Sequence, residues 1–253
     1  MKDDLTRQVA NLIGALVALA VNVLAVALPL NGKSTADISN QFPIYFVPAG
    51  YVFSIWGIIY IGWIAFVIFQ FLPEQRQSPR LRSLGLLFAF SCVYNAAWLF
   101  CWHHEAFGLS VVVMLFLLAT LIACYLRLNV GRARVGAAEK WCVDIPFSIY
   151  LSWITVATVA NISDWLYSIG WNGFGLAPQV WALIMLTVAT LLGLTIALTR
   201  QDSGYLLVLV WAFSGIAVKQ SAAALVAAAA WVAALFALML AVVSILQRRR
   251  TVS

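Results

Sequence analysis

Apolar residues run through this chain in long blocks that short polar, glycine or proline segments separate. Several blocks exceed the roughly 18 residues that mark a candidate membrane-spanning helix. The pattern predicts spans at approximately 9–30, 47–72, 82–102, 107–128, 138–161, 176–199, 205–219 and 222–246. The seventh is the shortest, because about 15 residues cover only about 22 Å of a hydrocarbon core roughly 30 Å thick.

The composition makes the lipid bilayer the solvent for most side chains. Hydrophobic residues make up 64% of the chain and charged residues only 9%, whereas soluble domains carry roughly 25% charged residues. The predicted fold class is therefore all-α, a polytopic membrane bundle of about eight transmembrane helices. The net charge of +6 is spread over the breaks between spans, which gives no support to nucleic-acid binding.

Basic residues predict the orientation of the chain. Successive breaks between spans lie on alternate sides of the membrane. On this basis one side holds only Lys33 and Lys219, and the other side holds thirteen of the 15 basic residues. Those thirteen are Lys2, Arg7, Arg76, Arg80, Arg82, Arg127, Arg132, Arg134, Lys140, Arg200, Arg248, Arg249 and Arg250. Cytoplasmic loops retain positive charge, so we expect a multi-pass protein of the cell membrane (plasma or inner) with both termini in the cytoplasm. The first apolar run is too long for a signal-peptide core, which predicts a retained span.

Aromatic side chains follow one face of the second span. Phe53, Trp56, Tyr60 and Trp63 recur at steps of three, four and three residues. An interfacial belt with bundle packing explains Tyr51 at the rim. The same stripe, if it faces the bundle interior, would instead wall a slot for a planar apolar ligand. The spacing leaves both interpretations open.

Polar residues inside the third and fifth spans need partners in hydrocarbon. Asn95 and Trp98 lie one turn apart, and the amide either joins two helices or anchors a ligand. In the fifth span Trp153, Ala157 and Asn161 share a face.

Asp144 is the ionisable residue of the fifth span, and such a residue is a functional candidate by default. Its position near the cytoplasmic boundary equally suggests an ion pair with Lys140 or Arg134.

Metal and cofactor sites find little support in the sequence. His103, His104 and Glu105 follow one another, and adjacent helical residues point about 100° apart, so they predict a wetted turn more than a metal or haem site. The four cysteines lack ligand spacing, and no P-loop, GxSxG, HExxH or dinucleotide motif occurs. We expect no catalytic residue, no metal and no obligatory cofactor.

Three segments together resemble one family, the tryptophan-rich sensory or translocator proteins, also called peripheral benzodiazepine receptors. The family's second helix reads roughly PPxWxFxxxWxxxY, and VPAGYVFSIW at 47–56 is similar to it, with Tyr51 in place of the first Trp and one residue fewer before Trp56. YNAAW at 94–98 resembles the family's LNxxW, and WITVATVAN at 153–161 resembles its WxxxAT followed by Asn.

The resemblance covers residues 1–162 as a five-helix core and leaves 163–253 as three additional helices with a basic tail. It implies an interior pocket that binds porphyrins, including haem, or other flat hydrophobes, and a possible homodimer. The pocket candidates by that similarity, together with the neighbours that share their faces, are Tyr51, Phe53, Trp56, Tyr60, Asn95, Trp98, Trp153, Ala157 and Asn161. Cholesterol binding is not implied, since no segment of the L/V, Tyr, K/R type follows the fifth span.

Three functions follow as hypotheses. The first is a membrane sensor or transporter that takes a tetrapyrrole-like ligand into an aromatic slot. The second is an enzyme, a photo-oxidase that degrades bound porphyrin with tryptophans as electron donors. The third is a retinal photoreceptor, suggested by Lys219. Two features argue against it: this lysine lies at a helix end, and the third span has no carboxylate at mid-depth.

Overall fold

The computed structural model describes residues 2–28 and 30–250, and the side chains of residues 4–28 and 30–248. The regular elements in those residues are helices and short helical turns, without a strand. The helices are α1 Lys2–Ala27, α2 Thr35–Ser39, α3 Ile55–Phe71, α4 Pro79–Arg82, α5 Leu87–His103, α6 Phe107–Arg127, α7 Ala137–Ser168, α8 Pro178–Arg200, α9 Ser203–Lys219 and α10 Ala224–Arg250. The predicted all-α fold class is confirmed.

Six helices of the described chain are long and apolar enough to cross a bilayer, namely α1, α6, α7, α8, α10 and α3 with its leading turn Gly50–Ser54. The helix α9 is apolar but has only 17 residues, and α5 is equally short and carries Ser91 and Asn95. The protein is therefore a multi-pass helical membrane protein. The count of eight spans stays a prediction.

The helices α1, α3, α5, α6 and α7 form a closed ring. The helix α1 packs on α3 and α5, α5 packs on α6, α6 packs on α7, and α7 returns to α3. A close approach of α3 and α7 requires Gly62, because a Cβ there would lie 2.9 Å from Cβ of Pro146. The helices α8, α9 and α10 pack on one another, and α9 joins them to α7. The predicted division at residue 162 stays a prediction.

The boundaries of two predicted spans, the first and the fifth, were wrong. The first span begins at Lys2 and its helix ends at Ala27, whereas we expected residues 9–30, of which Pro29 lies outside the described residues. The fifth span continues to Ser168 and not to residue 161. Asn161 and Ser163 do not end it because their side chains find partners inside the bundle and on the helix itself. The end comes before Gly170, which takes the left-handed conformation common after helices (φ 71°).

Basic residues gather at one end of the bundle. Arg80 donates to the carbonyl of Leu128 (2.7 Å) and Arg127 donates to that of Ser83 (3.1 Å). The two basic residues predicted on the other side, Lys33 and Lys219, contact Glu105 and Asn40 at the opposite end. The side chains of Lys2, Arg249 and Arg250 lie outside the described residues. The cytoplasmic position of the basic end stays a prediction.

Candidate ligand site

Aromatic side chains from three spans meet inside the helical ring. The ring centroid of Trp56 on α3 lies 6.3 Å from that of Trp98 on α5 and 6.4 Å from that of Trp153 on α7. Phe53, in the turn before α3, packs edge-on against Trp153 at 5.8 Å. Trp98 and Trp153 are buried and Trp56 is half-buried. The helical period explains this, because each of these residues faces the ring axis from its own helix.

Four of the rings form a stacked column. Tyr60, Trp56, Trp98 and Trp102 follow one another with centroid separations of 5.8, 6.3 and 5.7 Å. The angles between successive ring planes are 24°, 25° and 24°. Offset stacking of this kind is a favoured aromatic geometry. The column gives one wall of the interior a set of flat apolar faces.

A small cavity lies beside this column, and we call it the aromatic slot. Six of the predicted residues line it: Phe53, Trp56, Trp98, Trp153, Ala157 and Asn161. The slot has a volume of about 30 Å³. That space holds about one water molecule, whereas ligand pockets usually measure about 300–1,000 Å³. The aromatic slot is therefore closed in this structure, and a planar ligand needs its walls to separate.

Two polar side chains of α7 face the aromatic slot. Asn161 accepts a hydrogen bond from Nε1 of Trp98 (3.1 Å) and donates to Oγ of Ser110 (2.8 Å), so its amide fixes the orientation of that indole. Asp164, one turn further on, also lines the slot and is fully buried. Neither oxygen of its carboxylate has a hydrogen-bond partner, and Nε1 of Trp153 is likewise without one. Asp164 was missed in the sequence, where it reads as the start of a loop.

A short capping segment closes the end of the slot that lies away from the basic end of the bundle. Thr35 and Ser39 of α2 line the slot, and the carbonyl of Thr35 accepts a hydrogen bond from Nε1 of Trp102 (3.3 Å). Lys33 pairs with Glu105 at 2.5 Å and so ties the segment to the turn after α5. The pKa of Glu105 is lowered because Lys33 and Gln41 donate hydrogen bonds to its carboxylate. The pair is partly exposed, so it adds at most about 1 kcal/mol to closure.

His103 belongs to the same capping contacts, and the prediction that it sits in a wetted turn was wrong. The imidazole is fully buried, with Nε2 3.1 Å from Oγ1 of Thr35 and Nδ1 3.1 Å from the carbonyl oxygen of Leu30. Its neighbour His104 is exposed, as a turn residue should be. The imidazole of His103 is therefore buried and that of His104 is exposed, and the two do not face a common ligand.

Three predicted site residues do not line the aromatic slot. Tyr51 is 49% exposed and packs edge-on against Trp211 of α9. Asn95 accepts a hydrogen bond from Nδ2 of Asn22 (2.7 Å), and the hydroxyl of Tyr60 donates to Oδ1 of Asn22 (2.8 Å). Asn22 was missed, although an amide within the first span is itself a signal. Asn95 and Tyr60 thus join α1, α3 and α5, and their role toward a ligand stays a prediction.

Asp144 has a different partner from those expected. Its carboxylate pairs with Arg80 of α4, not with Lys140 or Arg134. Arg80 also pairs with Glu139 at 2.6 Å. Asp144 ends a π-helical turn, Lys140–Asp144, at the start of α7. The ion pair with a distant arginine was not readable from local spacing.

A larger cavity lies on the far side of α3 and α7 from the aromatic slot. It measures about 640 Å³ and is bounded by α3, α7, α9 and α10, through aliphatic, aromatic and polar side chains. Its polar residues include Asp144 and Asp202. Asp202 already accepts hydrogen bonds from Tyr125 (2.8 Å) and Ser148 (2.5 Å), and Arg80 already neutralises Asp144. Both carboxylates are thus occupied by the protein itself.

Comparison with known proteins gives one match. A family model described as TSPO-like protein matches residues 8–243, which includes all of α3 to α9. No curated protein and no solved structure matches the chain.

Proposed function

The chain belongs to the TSPO-like protein family, and from this premise we propose that it is a membrane sensor or transporter whose aromatic slot binds a flat hydrophobic ligand. Membrane sensing or transport fits both the family and the multi-pass helical bundle. The ligand we propose is tetrapyrrole-like, a porphyrin or haem, in line with the resemblance of the three motifs. The ligand enters from the bilayer or the outer surface, since the slot lies within the spans.

One observation carries this proposal, the convergence of Trp56, Trp98 and Trp153 on one interior space. Tryptophans that served only as an interfacial belt would point outward at the level of the headgroups. These three come from separate helices, and the ring centroids of Trp98 and Trp153 lie 6.3 and 6.4 Å from that of Trp56. Flat faces around a shared space are suited to a flat ligand, because stacking on indole rings adds to the burial of apolar surface.

Binding requires the slot to open. A porphyrin cannot fit the present volume of about 30 Å³, so the capping segment and the tryptophan column must move apart when it enters. The polar contacts that hold the segment include the pair of Lys33 with Glu105, the hydrogen bonds of Thr35, and those that Gln41 and Asn40 make with Glu105 and Lys219. The closed state is held by weak outer contacts. A ligand that binds only the open state therefore shifts the population of the protein toward that state. Such a shift can serve sensing and gated transport alike.

We predict saturable quenching of tryptophan fluorescence when protoporphyrin is titrated into the purified protein, and binding weakened about tenfold or more by Trp98→Ala. Loss of one stacked ring and its buried surface is worth about 1.4 kcal/mol or more, which is a factor of ten. The matched control is Trp231→Ala, since Trp231 lies on α10 and is 46% exposed. Trp98→Phe, which keeps a ring, should retain most of the affinity.

Equal affinities for wild type, Trp98→Ala and Trp231→Ala would contradict the proposed site. Absence of saturable quenching in the wild type would contradict the proposed function itself.

A second function is favoured by the stacked column of Tyr60, Trp56, Trp98 and Trp102. Rings at these separations would let tryptophans act as electron donors to an excited porphyrin, as a photo-oxidase requires. A new chromophore that forms only on illumination, and only when Trp56 and Trp98 are present, would distinguish this enzyme from a sensor or transporter.

Orientation and assembly are part of the proposal. The basic end of the bundle, which includes Arg80, Arg127 and Arg200, lies in the cytoplasm of a cell that carries the protein in its plasma or inner membrane. The capping segment then faces the outside. Homodimer formation, which the family resemblance implies, is a further expectation.

A further inference from the structure

Asp164 is a buried carboxylate that the protein leaves without a partner. Its side chain is 0% exposed, and both oxygens lack a hydrogen bond. Among the described side chains no basic nitrogen forms an ion pair with it within 4.0 Å. The other buried acidic side chains among them have partners, since Asp4 and Asp144 form ion pairs with arginines and Asp202 accepts hydrogen bonds. Asp164 is therefore an exception that calls for a physical cause.

A carboxylate in this position is costly unless something compensates it. Burial of an unpaired charge costs several kcal/mol, and buried charges in proteins are almost always paired. Lys219 of α9 is the nearby basic residue, but its ammonium donates to Oδ1 of Asn40 in the segment after α2. Lys219 thus acts on Asp164 only through space. The carboxylate faces the aromatic slot, so a group inside that slot can supply the missing partner.

The rings around the slot suit the same partner. Aromatic faces attract a cation that lies within about 6 Å of the ring centroid, most strongly when the ring is an indole. Four tryptophans line the slot together with Asp164: Trp56, Trp98, Trp102 and Trp153. The volume of about 30 Å³ is close to that of one small polar group. An aromatic cage with a carboxylate at one end is a chemically complete site for a positively charged nitrogen.

We propose that the aromatic slot also binds a second class of ligand, a lipophilic organic cation whose flat aromatic body carries a positively charged nitrogen that pairs with Asp164. This inference rests on the proposed function and extends its ligands beyond porphyrins. The flat body stacks on the tryptophan column, and the charged nitrogen takes the place beside the carboxylate. Carboxylate substituents, such as the propionates of a porphyrin, must point away from Asp164.

Two probes of nearly equal shape test the charge directly. N-methylacridinium is permanently cationic, and acridine is uncharged in mildly alkaline buffer. Binding of each is followed by tryptophan quenching in the wild type, in Asp164→Asn and in Glu74→Gln. Glu74 is an acidic residue exposed in the turn after α3, so its variant loses the same charge far from the slot.

We expect Asp164→Asn to weaken binding of N-methylacridinium roughly thirtyfold or more, since one partner of a buried charge pair is removed. Binding of acridine should change by less than about twofold, and Glu74→Gln should leave both affinities unchanged. Asp164→Glu retains the charge and should retain the preference for the cation. Thermal unfolding of each variant in detergent checks that the fold is intact.

Equal binding of N-methylacridinium to wild type and Asp164→Asn would overturn the inference, as would an equal loss for both probes. If acridine binds saturably and Trp98→Ala weakens it, while Asp164→Asn has no effect on either probe, the proposed slot stands and only its charge selectivity fails. If neither probe nor protoporphyrin quenches the fluorescence, the inference and the proposed function fail together.

Discussion

Replacement of Arg80 by alanine is expected to lower the free energy of unfolding by about 3–5 kcal/mol. The guanidinium of Arg80 pairs with both Glu139 and Asp144, and its Nε donates to the carbonyl of Leu128 at 2.7 Å. The side chains of Arg80 and Asp144 are only 16% and 7% exposed. Removal of the guanidinium therefore leaves the carboxylates of Glu139 and Asp144 close together with little solvent to screen them. The ion pairs that join α4 to the start of α7 are lost as well.

Thermal or denaturant unfolding in detergent measures this effect. The control is Arg132→Ala, because Arg132 is exposed and donates only to the carbonyl of Thr199 (3.0 Å). The double variant Arg80→Ala with Asp144→Asn should recover a large part of the lost stability, since it removes one of the two uncompensated carboxylates. A loss for Arg80→Ala no greater than that for Arg132→Ala would show that the ion pairs are not structural.

Replacement of Asp202 by alanine is expected to cost about 3 kcal/mol of stability. The side chain caps the start of α9 by accepting from the backbone N–H groups of Gly204 (3.0 Å) and Tyr205 (3.2 Å). It also accepts from the hydroxyls of Tyr125 and Ser148, which are buried. Loss of a cap costs about 1 kcal/mol, and the buried Tyr125 hydroxyl left without an acceptor adds about 1–3 kcal/mol. Ser148 keeps an acceptor, since its hydroxyl also donates to the carbonyl of Asp144 (2.8 Å).

Asp202→Asn should fall between wild type and Asp202→Ala, because the amide oxygen still caps α9 while the amide nitrogen cannot accept from the hydroxyls. The comparison variant is Asp37→Ala, which removes an exposed aspartate from the capping box of α2 and should cost at most about 1 kcal/mol. Unfolding midpoints that rank Asp37→Ala below Asp202→Ala would contradict this assignment.

Hydrophobic periodicity was sufficient to predict the bundle, whereas the meeting of Trp56, Trp98 and Trp153 was expected only from the family resemblance, because the spacing left two interpretations open. Long apolar runs determine spans in hydrocarbon, and helical spacing determines which side chains share a face. That Trp153, Ala157 and Asn161 share one face of their helix could be predicted for the same reason. The sequence motifs then indicated which faces turn toward each other, and the structure places these residues around the slot.

Partners far apart in sequence could not be predicted. The pairing of Asp144 with Arg80 and that of Asn22 with Asn95 depend on how helices are arranged in the ring, which local spacing does not encode. Asp164 was assigned to a loop because Ser, Asp and Gly usually end a helix, yet the helix continues through it. Closure of the slot by α2 is likewise a tertiary feature, since the short α2 segment shows little signal of its own.

The central claim is that side chains of α3, α5 and α7 bind a flat ligand in one interior space. Photolabelling tests this claim most directly. A diazirine derivative of protoporphyrin is cross-linked to the protein, and the labelled peptides are mapped by mass spectrometry with and without excess protoporphyrin. The account predicts competable labels on the segments that carry Trp56, Trp98 and Trp153. Competable labels confined to lipid-facing Trp231, or to the large cavity beside Trp211, would contradict it.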